Sequence, residues 1–198
     1  AKIKANSDIK ESTKNIIKAI ELKNNFPPYI KLHLELIAET NNIVMLKKMI
    51  KKYWSLNSNS IMRSIITQIA IDKKLDKLDF IYQIIKNNKN NIESIKMLIF
   101  FLIKNQKWET ARDNIKGLIG INPSREICIF MADIELGENN DKQKSDAWIK
   151  RSESASPENI WICRITNQSQ LEWSTLSDSG YFNSLVWTSP KMLNHYNN

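Results

Sequence analysis

Residues 93–123 read ESIKMLIFFLIKNQKWETARDNIKGLIGINP and decide how the chain folds. Apolar residues recur there at the spacing of one helix face, on both sides of a polar turn at residues 104–106. They are Ile95, Leu98, Ile99 and Leu102 before the turn, and Trp108, Ala111, Ile115 and Leu118 after it. Pro123 is expected to stop the second stretch because proline cannot donate a helical hydrogen bond. The segment therefore predicts two consecutive amphipathic helices.

The same two-helix pattern recurs about 33 residues earlier and again about 32 residues before that, a period typical of helical repeat proteins. The middle unit has Met62, Ile65, Ile66 and Ile69, then Leu75, Leu78 and Tyr82; the first has Ile30, Leu34 and Ile37, then Leu46, Met49, Ile50 and Tyr53. A helix over residues 11–23 is predicted before them, and a fourth pair over residues 125–136 and 142–154 after them.

The small Ala111 and the stop at Pro123 resemble the tetratricopeptide repeat. Each helical pair is too apolar on one side to be stable alone, so it must bury that side on its neighbours. The predicted fold class is all-α, a tetratricopeptide-like superhelix of about four helical pairs over residues 1–157.

The chain changes character after Pro157. Residues 161–190 contain three tryptophans and scattered Ser, Thr and Asn, with no helical stripe of apolar residues. Short strands and turns are therefore predicted for residues 158–190. Residues 191–198 are predicted to be a disordered tail.

The formal net charge of +8 lies in the first half of the chain. Residues 1–100 hold 18 Lys and Arg against 9 acids, whereas residues 101–198 hold 11 against 12. Such a basic half favours anionic partners such as nucleic acid, acidic peptides, phospholipid surfaces or propionate-bearing ligands. The alternative explanation for the basic half is compositional drift towards Lys, Asn and Ile.

The two cysteines, Cys128 and Cys163, give no disulfide framework and fit a reducing compartment.

Alignment of the three units places cations at one repeated position of the first helices. Lys31, Arg63 and Lys96 occupy position 5, and Glu35, Thr67 and Phe100 occupy position 9, both of which tetratricopeptide repeats turn towards a concave groove. Cationic donors of this kind suit carboxylate or phosphate groups, which arginine binds bidentately. These six residues are the candidate partner-binding groove. A merely solvated basic face is the alternative.

A second basic cluster, Lys47, Lys48, Lys51 and Lys52, is predicted to lie on the outward side of a second helix. It suits anionic lipid or nucleic acid. Nucleic-acid binding is not expected, because the sequence contains no known nucleic-acid motif. The remaining interpretation is that these four lysines bind no partner and only keep the outward side of the helix solvated.

No catalytic pattern is present in the sequence. His33 falls at a core-facing repeat position and His195 in the tail, and neither Gly117 nor Gly120 is followed by the Lys-Ser or Lys-Thr pair of a phosphate loop. No Cys-x-x-Cys-His haem-attachment motif occurs. We therefore expect a protein that is not an enzyme, with no catalytic residues, no cofactor and no metal. A haem-ligand role is the alternative to core packing for His33, and Cys128 is predicted to be an inert buried thiol.

Several motifs in the second half resemble one family. They are WETAR at residues 108–112, CIFMADIE at residues 128–135, Trp148-Ile149, Trp161, Gly180, Phe182, Leu185, Trp187 and Pro190. Together they resemble the carboxy-terminal part of the HemY-type tetratricopeptide proteins of alphaproteobacteria. The resemblance implies an inner-membrane protein with two amino-terminal spans and a large repeat domain that supports or organises late haem synthesis.

The resemblance also implies a rubredoxin-like zinc ribbon in the tail. Matching its two Cys-x-x-Cys motifs to this sequence puts the ligand positions at Cys163, Thr166, Leu176 and Ser179, of which only Cys163 is a usable zinc ligand. Residues 158–190 are therefore predicted to be a degenerate ribbon without metal. Trp161, Trp173, Phe182 and Trp187 are expected to supply the burial that a metal would otherwise provide.

The leading hypothesis is a non-enzymatic protein–protein interaction scaffold for late haem (porphyrin) biosynthesis. Its partners would be proteins bound in the groove, and enzymes of late haem synthesis are the candidates. We expect the chain to be the soluble, cytoplasm-facing part of an inner-membrane protein whose spans are not in this sequence. The alternatives are a haem- or porphyrin-binding protein or enzyme of haem metabolism, and a nucleic-acid-binding module.

Overall fold

The computed structural model describes residues 9–23, 25–120 and 122–190. This part of the chain is mainly α-helical with one small sheet. The helices are α1 (Ile9–Leu22), α2 (Pro27–Glu39), α3 (Ile43–Leu56), α4 (Ser60–Asp72), α5 (Leu78–Ile85), α6 (Ile92–Lys104), α7 (Trp108–Ile115), α8 (Arg125–Asn139) and α9 (Lys142–Ser154). Short 3-10 helices follow α5 at Lys86–Asn88 and α7 at Lys116–Leu118. The strands are β1 (Ile160–Cys163), β2 (Ser169–Gln170) and β3 (Leu185–Thr188).

The predicted helical pairs are present. Helices α2 and α3, α4 and α5, α6 and α7, and α8 and α9 match the four expected pairs, and the expected strands and turns follow them. Two predicted helix residues lie outside the α-helices, because the buried Leu75 precedes α5, which begins at Leu78, and Leu118 lies in the 3-10 helix after α7. The predicted tail at residues 191–198 lies outside the described residues.

Asparagine side chains begin and separate these helices. Asn42, Asn59 and Asn91 accept hydrogen bonds from backbone N–H groups in the first turns of α3, α4 and α6, which satisfies donors that a helix start leaves unpaired. Asn41 and Asn140 adopt left-handed backbone conformations between helices, which asparagine tolerates better than most residues.

The described residues form two compact units that divide between Phe101 and Leu102. The boundary predicted after residue 157 stays a prediction. In the first unit, α2 packs against α1, α3 and α4, and α3 packs against α4 and α5. Trp54 of α3 is completely buried, and its indole N–H donates to Ser94 of α6 across 3.1 Å. A buried tryptophan needs such an acceptor, so this bond links α3 to α6.

In the second unit, α8 packs against α7 and α9. Arg112 of α7 donates two hydrogen bonds to the buried carboxylate of Glu135 on α8, at 2.8 and 3.0 Å, and a third to Glu138 at 2.6 Å. The hydrogen bonds from Arg112 lower the pKa of Glu135, while Glu135 raises the pKa of Arg112. This paired geometry fixes how α7 lies on α8.

The sheet follows α9 and has the strand order β2-β1-β3, with both pairings antiparallel. Trp161 and Trp187 are directly paired across β1 and β3, with their ring centroids 5.2 Å apart in an edge-to-face arrangement. Trp161 is buried, but Phe182 is 74% exposed. The prediction that Phe182 helps to bury this segment is therefore wrong, because its side chain lies on the surface of a turn outside the three strands.

Gly137 allows α8 to approach α7 closely. A β-carbon added at Gly137 would lie 2.5 Å from a ring carbon of Trp108, which is far inside van der Waals contact. Replacing Gly137 with Ala should therefore destabilise the protein by about 1–3 kcal/mol through overpacking. Chemical denaturation followed by circular dichroism measures the change. Gly117→Ala is the matched control, since an added β-carbon there meets no atom within 4 Å. Equal stability of the two variants would contradict the close approach.

Candidate functional site

The six residues of the predicted groove lie on three helices of the first unit. Helix α2 carries Lys31 and Glu35, α4 carries Arg63 and Thr67, and α6 carries Lys96 and Phe100. Residues four apart share one face of a helix, so each pair lies on a single face. Helix α2 packs against α4, and an ion pair described next joins α4 to α6. Contacts therefore link α2 to α4 and α4 to α6.

Glu93 of α6 connects two of the predicted cations. Its carboxylate accepts a hydrogen bond from Arg63 Nε at 2.6 Å and lies 3.9 Å from Lys96 Nζ. The side chains are only 13% exposed for Arg63, 14% for Glu93 and 8% for Lys96. The structure thus brings Arg63 and Lys96 together, but around a carboxylate of the chain itself. A bound anion would share these donors with Glu93.

Lys31 and Glu35 form a looser pair on α2, with Nζ and Oε1 3.8 Å apart. Their side chains are 34% and 42% exposed, and exposed pairs of this kind contribute little to stability. With Arg63, Lys96 and Glu93, the groove residues comprise three cations and two carboxylates. The groove therefore carries a net charge of +1, less than the predicted column of three cations.

Thr67 contributes a buried hydroxyl without a partner. Its Oγ1 atom is inaccessible to solvent and has no hydrogen-bond partner in the described part of the chain. Leaving a buried hydroxyl unpaired costs about 1–3 kcal/mol. Thr67 lies one helical turn after Arg63 on the same face of α4, but its hydroxyl is buried beneath that surface.

Phe100 lies one turn beyond Lys96 on α6 and is half-buried. Its ring meets Phe101 edge to face, with centroids 5.1 Å apart. Phe101 is completely buried, so it holds the Phe100 ring in place from the core side. Phe100 thus adds a partly exposed apolar ring one helical turn from Lys96.

His33 lies in the core, as predicted. It is 3% exposed, and its Nδ1 atom is 2.6 Å from the hydroxyl of Tyr53 on α3. Burial lowers the pKa of His33, and the positive charge of Lys52 lowers it further. Burial also raises the pKa of Tyr53 to about 12. The imidazole is therefore neutral near pH 7 and accepts or donates one bond with the phenol.

This histidine should make the protein less stable in acid. Its pKa is lower in the folded than in the unfolded state, so stability should fall as the pH drops from about 6.5, the unfolded value, towards the folded pKa. Urea denaturation at several pH values measures this. His33→Gln should remove this part of the pH dependence, whereas Tyr53→Phe, which keeps the buried imidazole, should retain it. An unchanged pH dependence in His33→Gln would contradict the assignment.

The implied ribbon positions form two tight turns. Asn167 in the first and Gly180 in the second have left-handed backbones, and the hydroxyls of Thr166 and Ser179 lie 3.0 Å apart, which joins the turns. Leu176 is 55% exposed and pairs through its backbone with Phe182. One thiol, two hydroxyls and a leucine do not fit a tetrahedral zinc site. Across the described residues, no group of three or more His, Cys, Asp or Glu side chains is placed to hold a metal ion.

Cys163 lies at the centre of these turns and is 1% exposed. Its sulfur is 3.3 Å from the hydroxyl oxygen of Ser184. Burial opposes ionisation of the thiol, but its hydrogen bonds with the side chains of Ser184 and Thr166 and with the backbone at Thr166 and Ile165 lower its pKa to about 6. Cys128 on α8 differs, because burial raises the pKa of its thiol.

The two cysteines should therefore titrate separately. The ultraviolet absorbance of the thiolate should rise near pH 6 in the native protein and in Cys128→Ser, but not in Cys163→Ser. Because the folded pKa lies below the unfolded one, the associated stability is full above the unfolded pKa and is lost as the pH falls to about 6. A first titration step above pH 8 in Cys128→Ser would contradict this environment.

Glu93 and Ser94 were missed by the sequence reasoning. Glu93 lies three residues before Lys96, which is a signal for a pair within α6, but its stronger contact is with Arg63, 30 residues away.

No helix in the described part of the chain combines the length and apolar character needed to cross a bilayer.

No family model matches the chain, and comparison with curated proteins and with solved structures finds no match. The resemblance to HemY-type proteins therefore stays a prediction.

Proposed function

We propose that the chain is a non-enzymatic scaffold whose helical pairs stack as tetratricopeptide-like repeats and bind a partner protein along the first helices. The partners are enzymes of late haem synthesis, and the full-length protein is held at the inner membrane by spans outside this sequence. The observation that carries the proposal is the ion cluster of Arg63, Glu93 and Lys96, which joins the first helices of two successive pairs.

The packing of the first unit supports the repeat. Helix α2 contacts the second helix of its own pair, α3, and the first helix of the next pair, α4, while α3 contacts α5, the second helix of that next pair. Stacked helical hairpins produce such contacts between equivalent helices. They also leave one continuous surface of first helices, which suits an extended peptide better than a small substrate.

The groove chemistry supports a peptide ligand with oxygen acceptors. Lys31, Arg63 and Lys96 supply charged donors. A carboxylate or backbone carbonyl of a partner would add to the acceptors already provided by Glu93 and Glu35. Phe100 would contact an apolar side chain of the same segment. These groups lie on α4 and α6, whose positions are held by the Arg63–Glu93 bond.

Site-specific crosslinking in cells tests the proposal. With the photoreactive amino acid p-benzoylphenylalanine at Phe100, the full-length protein should crosslink to an enzyme of porphyrin metabolism. Adding Lys31→Gln should reduce the yield about twofold to tenfold, the effect of one hydrogen bond, without lowering stability, because the exposed Lys31–Glu35 pair contributes little to it.

The photoreactive residue at Tyr82 is the matched control. Tyr82 is an aromatic residue on α5, 45% exposed and on a second helix. Identical adducts from both positions, or yields at Phe100 that are unchanged by Lys31→Gln, would contradict the groove. A haem-dependent Soret shift that disappears in His33→Gln would support the alternative, a haem- or porphyrin-binding protein.

A further inference from the structure

The outward side of α3 carries four lysines, Lys47, Lys48, Lys51 and Lys52, which we call the lysine face. At 100° per residue they cover about 140° of the helix circumference, and they span about 7.5 Å along its axis. Lys48 and Lys52 are exposed, and Lys47 and Lys51 are half-exposed. Helix α3 contains no acidic residue, so this face has a single sign of charge.

The neighbouring helix does not neutralise the lysine face. Lys47 lies over the Phe80 ring at 5.1 Å, and Lys51 donates to the Gln83 side chain at 3.5 Å. Asp79 lies one turn before Gln83 on α5, but it forms no ion pair with these lysines within the described residues. The contacts made by Lys47 and Lys51 are therefore with uncharged groups.

Exposed apolar side chains accompany the lysines on the same helix. Val44 is 81% exposed, Leu56 is 56% exposed and Met45 is 39% exposed. By helix geometry, Val44 lies within the arc of the lysine face, and Met45 and Leu56 lie about 20° and 40° beyond it. Tyr82 of α5 adds a partly exposed aromatic ring. Lysines interspersed with exposed apolar and aromatic residues are typical of surfaces that rest in the headgroup region of a bilayer.

The opposite side of α3 is held in the core. Leu46, Ile50 and Trp54 are completely buried, and Trp54 is hydrogen-bonded to Ser94. The helix therefore cannot rotate its lysines away without breaking the core. The lysine face is a fixed feature of the folded unit.

From these observations we infer that the lysine face binds the anionic surface of a lipid bilayer. The lysines attract the lipid phosphates and carboxylates, while Val44 and Leu56 enter the headgroup region. A phosphate backbone of nucleic acid would use the charges but not these apolar side chains, and the face contains no arginine for bidentate contacts. This surface lies on a second helix and is separate from the proposed groove.

Vesicle sedimentation with the full chain tests the inference. Vesicles of phosphatidylcholine with about one-third phosphatidylserine should retain the protein, and vesicles of phosphatidylcholine alone should not. Replacing one lysine of the face with Gln should weaken binding about fivefold, because each lysine near an anionic surface contributes about 1 kcal/mol to binding. Replacing all four should weaken binding several-hundredfold. Val44→Ser with Leu56→Ser should weaken vesicle binding and leave retention on a DNA duplex unchanged.

The matched control replaces with Gln four exposed lysines that lie outside α3, namely Lys89, Lys107, Lys142 and Lys150. It removes the same total charge and should weaken binding far less than the four changes on α3. Circular dichroism of each variant confirms that the helices remain folded. Equal losses from the two sets of four would overturn the inference in favour of a general charge effect. DNA retention stronger than vesicle retention, with no effect of the Val44 and Leu56 changes, would overturn it in favour of nucleic-acid binding.

Discussion

The hydrogen bond from Arg63 to Glu93 determines how α4 and α6 lie together. Its 2.6 Å length and the low exposure of both side chains make it a mostly desolvated contact, and removal of one partner from such a pair typically costs about 3–5 kcal/mol. The pair joins α4 to α6, the helices that carry Thr67 and Phe100. The candidate groove therefore depends on an ion pair inside the chain rather than on an open row of cations.

The high asparagine content also has a structural use. Three asparagines accept backbone hydrogen bonds at helix starts, and five others, Asn25, Asn41, Asn140, Asn167 and Asn183, adopt left-handed conformations in turns. With only 4 glycines in 198 residues, the chain uses asparagine where glycine is more common. At these positions, the asparagines that compositional drift supplies also meet the conformational requirements of the fold.

Helical periodicity was sufficient to predict the helical pairs, since burial of one face every 3.6 residues leaves a direct pattern in the chain. The segment after α9 was predicted as strands and turns because that pattern stops there. The Arg63–Glu93 contact was not predicted, because a charge pair 30 residues apart depends on how two helices pack. The close approach of Trp108 to Gly137, the unpaired Thr67 hydroxyl and the exposure of Phe182 are likewise properties of packing.

A double-mutant cycle between Arg63 and Glu93 tests the central claim most directly. The free energy of unfolding would be measured for Arg63→Met, Glu93→Gln and the double variant. If the two side chains hold α4 against α6, the cycle should give a coupling energy of about 1–3 kcal/mol. Effects that add to within about 0.5 kcal/mol would contradict the contact, and with it the surface of first helices on which the proposed partner binds.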